Sequence, residues 1–235
     1  MKRVLINVLV LACAVFTVAA QSTRHEVKVG NFSRLVVTDD INVDYRWNPD
    51  SAGLAVMYCE QSVADHFIFS INRNGRLSIQ LDNAFQSMEH LPKVTVYSSS
   101  LEEAENAADS TLRIIGLPRM ASLKVLLVDN GKVIARGIDV SHLDLQILSG
   151  KGKIIAEGHC DDLAIRLVGT GEIQADEVRA ENVTCRIMGT GRIGCHVDGG
   201  ELKVSGSGTG KVYYKGTPTK VSVRKLGTIK AIPME

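Results

Sequence analysis

The residues best equipped for chemistry in this chain are glycine-rich corners and a few charged side chains. Gly189-Thr190-Gly191-Arg192-Ile193-Gly194 has the spacing of a dinucleotide-binding turn. Such a turn works by opening a helix, whose N-terminus then holds the pyrophosphate. Here Ile193 and Cys195 alternate with Arg192 and Gly194, so the segment runs on as a strand and no nucleotide site is expected. Gly206-Ser207-Gly208-Thr209-Gly210-Lys211 invites a phosphate-loop reading. It lacks the required spacing, and Val212 stands where Ser or Thr should follow the lysine. His159-Cys160-Asp161-Asp162 gathers metal-ligand residue types, but it reads as a polar corner with Cys160 turned inward. Six histidines (His25, His66, His90, His142, His159 and His196) are scattered, and no Ser/His/Asp set can be assembled. No catalytic, cofactor-binding or metal-binding residue is assigned, and no cofactor is expected.

The remaining candidates are charges on outward positions. Glu172, Arg192 and Lys211 form one column that reads as a solvated ladder of alternating sign. A polysaccharide-cleaving site would need acids and bases gathered on one outer face, and the outward charges mix in sign instead. Contact with a ligand is left to flat outer faces, with Arg166, Thr184, Arg186 and Lys203 as the expected contact residues.

The elements that must position these side chains repeat. An alternating apolar segment starts at Leu123, Leu143, Leu163, Val183, Leu202 and Val221, in steps of 20, 20, 20, 19 and 19 residues. Within residues 169–188, Ile173 and Ala175, then Val178 and Ala180, then Val183, Cys185 and Ile187 alternate with polar residues. That pattern predicts three short strands per unit, each with one apolar face. Corners are expected at Asp176-Glu177, Glu181-Asn182 and Gly189-Thr190-Gly191. A unit of this size cannot bury its apolar face alone, whereas stacked copies close a continuous interior.

Three columns can be written out. One is Leu123, Leu143, Leu163, Val183, Leu202, Val221; the next is Val125, Leu145, Ile165, Cys185, Val204, Val223. The third is Val133, Ile154, Ile173, Ile193, Val212, Ile229. The expected fold is all-β: a right-handed parallel β-helix, or β-solenoid, with repeats of about 20 residues. Its glycines are then corner residues, and Asp129-Asn130-Gly131 supplies an equivalent corner in which Asn130 takes the left-handed conformation.

The segment before the repeats is less regular. Residues 27–29, 35–37, 41–45, 54–58, 67–71, 77–81 and 93–97 read as strands. A helical turn capped by Ser62 is expected near residues 62–66, and residues 83–90 read as a polar loop. Residues 101–108 have helix-friendly composition, but their place among strands favours another strand. The irregular half (27–110) and the repeat half (111–232) are expected to share one stack within a single domain, 27–235.

Residues 1–20 stand apart. Lys2 and Arg3 precede an apolar run that ends in Val18-Ala19-Ala20, the pattern of a secretory signal peptide cleaved before Gln21. Lipoprotein processing at Cys13 is disfavoured, because the apolar run continues beyond it. Residues 21–26 read as a loose polar leader. The mature chain then lies in the periplasm, on the outer surface or outside the cell, with no transmembrane span. In that oxidising compartment Cys59, Cys160, Cys185 and Cys195 could pair, but Cys185 and Cys195 read as small buried hydrophobes. A net charge of +1 gives no reason to expect nucleic acid.

Several stretches together resemble a known family. They are Phe32-Ser33-Arg34-Leu35-Val36-Val37 with Ile41-Asn42-Val43, Leu77-Ser78-Ile79, and residues 91–97. The Gly-x-Gly corners and a closing segment over residues 210–218 complete the match. The chain resembles the bacterial family called putative auto-transporter adhesin, head GIN domain, over roughly residues 27–232. The corners depart from the family's usual Gly-Ser-Gly, carrying Thr or Lys in the middle. The resemblance implies a β-solenoid at the cell surface or in the periplasm and supplies no catalytic residues. The expected role is that of an exported, non-enzymatic, adhesin-like binding protein. Alternatives are a glycan-binding or polysaccharide-cleaving β-helix protein, or a purely structural envelope protein. Partners would be a surface glycan or an envelope protein, with further copies able to join through the solenoid ends.

Overall fold

The computed structural model describes residues 22–83 and 90–234. The expected signal peptide, Cys13 and most of the expected polar loop at 83–90 lie outside the described residues. Among the described residues, eighteen strands join into one continuous sheet that coils on itself. The N-terminal part holds β1 (Thr23–Lys28), β2 (Arg34–Val37), β3 (Val43–Trp47) and β4 (Leu54–Cys59). After a single helical turn, α1 (Gln61–Ala64), come β5 (Phe67–Ile71), β6 (Arg76–Leu81), β7 (Val94–Ser98), β8 (Glu103–Asn106) and β9 (Thr111–Ile115). The repeat part holds β10 (Met120–Leu127), β11 (Lys132–Ile147), β12 (Lys153–Gly169) and β13 (Glu172–Gly189). It closes with β14 (Arg192–Val197), β15 (Glu201–Gly208), β16 (Lys211–Gly216), β17 (Lys220–Gly227) and β18 (Lys230–Pro233).

The repeats stack in parallel, as the periodicity predicts. Leu123 pairs with Leu143, Leu143 with Leu163, Leu163 with Val183, Val183 with Leu202 and Leu202 with Val221. The second column follows the same register from Val125 to Val223. It also continues into the irregular half, through Ala104, Leu35 and Leu77. Apart from Val221 and Val223 in the last turn, these inward residues form one uninterrupted core. β13 runs through both corners: near residues 176–177 its register against β12 shifts by one residue, and across 181–182 the register is kept. Residues 101–108 contribute a strand, β8, and its buried Asn106 holds the following corner by donating from Nδ2 to the Ser110 carbonyl at 2.8 Å.

Each glycine corner uses its two glycines differently. The first has positive φ, as at Gly189 (133°). The second faces inward with no room for a side chain: a Cβ on Gly191 would collide with the Gly171 carbonyl and come within 2.5 Å of Leu167 Cδ2.

Several expectations need correction. In the third column Val212 pairs with Ala231, not Ile229. Ile229 is fully buried two positions earlier, at the corner site that glycine occupies in the preceding units. There the inward Ile187 of one turn is followed in the next by Gly206, which puts no side chain into the core. At the first repeat corner the positive-φ residue is Asp129 (79°), not Asn130. The leader is not loose from Thr23 onward: β1 pairs antiparallel with β4, and His25 Nε2 lies 3.0 Å from the Cys59 carbonyl. An edge strand needs only backbone partners, so polar residues serve. The helical turn begins at Gln61, with Glu60 at the cap position and no side-chain cap bond, in place of the cap expected at Ser62.

The stacking order of the irregular half does not follow the chain. β2 lies between β6 and β8, and β3 lies between β7 and β9. The first coil laid down is therefore second in space. Antiparallel pairs β5–β6, β4–β7 and β1–β4 then cover that end.

The opposite end is different. Among the described residues, β17 pairs only with β15 and β18 only with β16. Val221 and Val223 are each 40% exposed, whereas Leu202 and Val204, their partners in the preceding turn, are buried.

Candidate functional site

In a stacked strand, successive side chains point alternately into the core and outward, so an outward residue stands above its equivalent at a step of about 4.8 Å. On the wall built from the ends of β12 and β13 with β15 and β17, one outward column reads Arg166, Arg186, Ser205, Arg224. The neighbouring column reads Ala164, Thr184, Lys203, Ser222, and the one on the other side Val168, Met188, Ser207, Leu226. The arginine column makes no ion pair among the described residues, and all three arginines are exposed.

Ser205 interrupts that column. Its short side chain leaves a depression of about 640 Å³, lined by Arg166, Arg186, Met188, Arg224 and Leu226 among others. A second depression of about 410 Å³ lies beside it, between Thr184, Lys203, Lys220 and Ser222, and shares Ser205 and Arg224. The four expected contact residues therefore fall on one face. Arg166 and Arg186 line the first depression, and Thr184 and Lys203 line the second.

The four are not equivalent. Lys203 Nζ lies 3.0 Å from Glu201, which Lys220 also approaches at 3.5 Å. The hydrogen bond and charge of Lys203, helped by Lys220, hold the Glu201 carboxyl below its ordinary value. Lys203 is thus engaged within the protein, while the arginines are free to meet a ligand.

Sequence reasoning missed Arg224 and Ser205, and the charge segregation behind them. Residues 183–234 hold nine Lys and Arg against two acids, Asp198 and Glu201, whereas residues 22–182 hold sixteen against twenty-three. The overall charge of +1 hides this division. The expected alternation of Glu172, Arg192 and Lys211 is also incomplete. Glu172 pairs backward with Lys153 at 3.1 Å, and Arg192, Lys211 and Lys230 follow one another with no acid between them.

The other chemical candidates resolve into structure. Arg192–Val197 is a strand, so the dinucleotide-like motif opens no helix. Cys160 is buried in the core, and burial, reinforced by Asp161 and Asp162, pushes its thiol up to about 12, which keeps it an inert thiol. Asp162 meets His142 at 3.2 Å and Asn182 at 3.3 Å. Cys59, Cys160, Cys185 and Cys195 are all free and buried. A hydrogen bond with Cys195, together with burial, drives the Cys185 thiol up. No group of three or more His, Cys, Asp and Glu able to hold a metal ion occurs among the described residues. Aromatic residues line a separate depression on another wall, where Trp47 and Tyr97 stand beside Arg46 and Ile115. The Trp47 ring is fixed there by its N–H bond to the Ser99 carbonyl.

Comparison with known proteins bears on fold and family. The model of the family described as putative auto-transporter adhesin, head GIN domain, matches residues 31–218. The chain belongs to this family. A putative adhesin from Bacteroides fragilis has a crystal structure similar to this head GIN domain, with a TM-score of 0.78 at 21% identity. The match covers 90% of this chain and 96% of that one. A putative lipid binding protein from Parabacteroides distasonis is similar with a TM-score of 0.72 at 18% identity, covering 92% of this chain and 97% of that one. A putative adhesin from Parabacteroides merdae gives 0.66 at 17% identity, covering 92% and 97%. These likenesses establish the fold. No curated protein matches the sequence.

Proposed function

We propose that this head GIN domain is an exported, non-enzymatic binding protein of the cell envelope, and that it meets its ligand on the arginine face. The column of Arg166, Arg186 and Arg224, which has no acidic partner among the described residues, carries this reading. Exposed arginines without partners are free to bind groups supplied by another molecule. Membership in a family named for adhesins supports the class of role, and the pattern of residues 1–20 supports export. No helix among the described residues is long and apolar enough to cross a membrane.

A glycan array probed with residues 22–235, followed by analysis of the bound sugars for breakdown products, tests the reading. Retention of intact glycans is the expected result. Release of oligosaccharides would overturn the non-enzymatic assignment. A lipid-facing role, as the name of the Parabacteroides distasonis neighbour offers, has one observation in its favour: Leu226 is 79% exposed beside the arginine column.

A further inference from the structure

We infer that the arginine face takes a linear acidic polysaccharide, laid along the solenoid axis with its anionic groups on Arg166, Arg186 and Arg224. This rests on the binding-face reading above and specifies the ligand. Three observations carry it. The cations are collinear: Arg166 and Arg186 are one turn apart, and Arg186 and Arg224 are two turns apart across the Ser205 gap, or roughly 10 Å at the usual strand spacing. A ligand meeting all three must be extended in the direction of stacking.

The second observation is the chemistry of the face. Guanidinium groups present paired donors suited to carboxylate, sulfate or phosphate oxygens. Thr184, Ser205, Ser207 and Ser222 add hydroxyls beside them, and no aromatic residue lines either depression. Neutral sugars are commonly held by stacking on aromatic rings, and such rings stand on a different wall, at Trp47 and Tyr97. Charge and hydrogen bonding are what this face offers.

The third observation is the surrounding field. The nine cations and two acids of residues 183–234 make this end of the solenoid basic on more than one wall, since Arg192, Lys211 and Lys230 continue the excess on the next. A second copy seated on the same face would bring like charges together, whereas a polyanion would be drawn in.

Binding of residues 22–235 is measured by titration calorimetry against polygalacturonate and dextran sulfate. Fully methyl-esterified polygalacturonate and plain dextran serve as matched neutral chains, and vesicles of phosphatidylglycerol as an anionic membrane. The expected result is binding to at least one acidic chain, weakened by added salt and absent for its neutral counterpart. Each of Arg166→Gln, Arg186→Gln and Arg224→Gln should weaken it about two- to fivefold, as exposed charge pairs do. The triple variant should lose it, while Arg73→Gln at the opposite end leaves it unchanged. Circular dichroism of the variants confirms the fold.

Equal binding to a neutral chain that disappears in the triple variant overturns the acidic ligand and keeps the binding face. Binding to vesicles alone overturns the polysaccharide. Binding to an acidic chain that survives in the triple variant, or no binding to either acidic chain, also overturns the inference.

Discussion

Consider adding one methyl group to the glycine column, at Gly210. Its Cβ would point into the core and overlap Ile187 Cδ1, lying 2.9 Å from Ile187 Cγ1 and 3.1 Å from the Gly191 carbonyl oxygen. The worst overlap is therefore with a side chain. Overpacking of this kind costs about 1–3 kcal/mol. The lower entropy of the unfolded chain returns about 0.4–1 kcal/mol, since Gly210 does not have positive φ. Ile187→Ala alone empties a fully buried site and should cost about 2–5 kcal/mol. Combined, the two changes exchange volume: the alanine methyl at 210 enters space that the isoleucine vacated. The double variant should fall short of the summed costs by about 1–2 kcal/mol. Gly191→Ala with Leu167→Ala is the contrast. There the new Cβ also overlaps the Gly171 carbonyl, which trimming Leu167 does not move, so little coupling is expected. Urea unfolding of the parent, single and double variants supplies the comparison. Additivity within about 0.5 kcal/mol at Gly210 and Ile187, or equally strong coupling at Gly191 and Leu167, would refute the packing argument.

Two further outcomes are expected. The Cys160 thiol is pushed from 9.0 to about 12 by burial first and by Asp161 and Asp162 next, so the folded state holds that proton more tightly than the unfolded chain. Its contribution to stability is intact below pH about 9 and is lost as the pH rises through about 12. Cys160→Ala should flatten the fall of the urea midpoint across this window, and an unchanged slope would refute the assignment. At the open end, Lys225 follows Ile187 and Gly206 in an inward-facing column, and a charge in that position discourages edge-to-edge pairing. Lys225→Ile should promote concentration-dependent self-association in sedimentation runs; a variant no more associated than the parent would refute the blocking role.

Much of the repeat half is legible in the sequence because stacking forces equivalent residues into register at a fixed period. Leu123 to Val221 can be aligned by counting. The same counting fails at Ile229, since an apolar residue there looks like a column member. Its true place is the corner position that Gly210 holds one turn below, which only the strand register reveals. The order of β2, β6 and β8 is also hidden: alternation tells which face of a strand is buried, not which strand lies beside it. Of the candidate face, Arg166, Thr184, Arg186 and Lys203 can be picked out as outward residues. Arg224 escapes notice because the last repeat is faint, and the engagement of Lys203 by Glu201 is a matter of side-chain reach.

The interleaved first coil sets where this molecule can change length. In the repeat half each turn touches only the turns before and after it, so a whole turn could be gained or lost by duplication or deletion with the register intact. No such edit is available around β2 and β3, because their neighbours on both sides come from later segments of the chain. Removing any one of those segments strands the others. The protein thus joins a fixed foundation to an extensible shaft, and the arginine face lies on the extensible part, where added turns would lengthen it for a longer ligand.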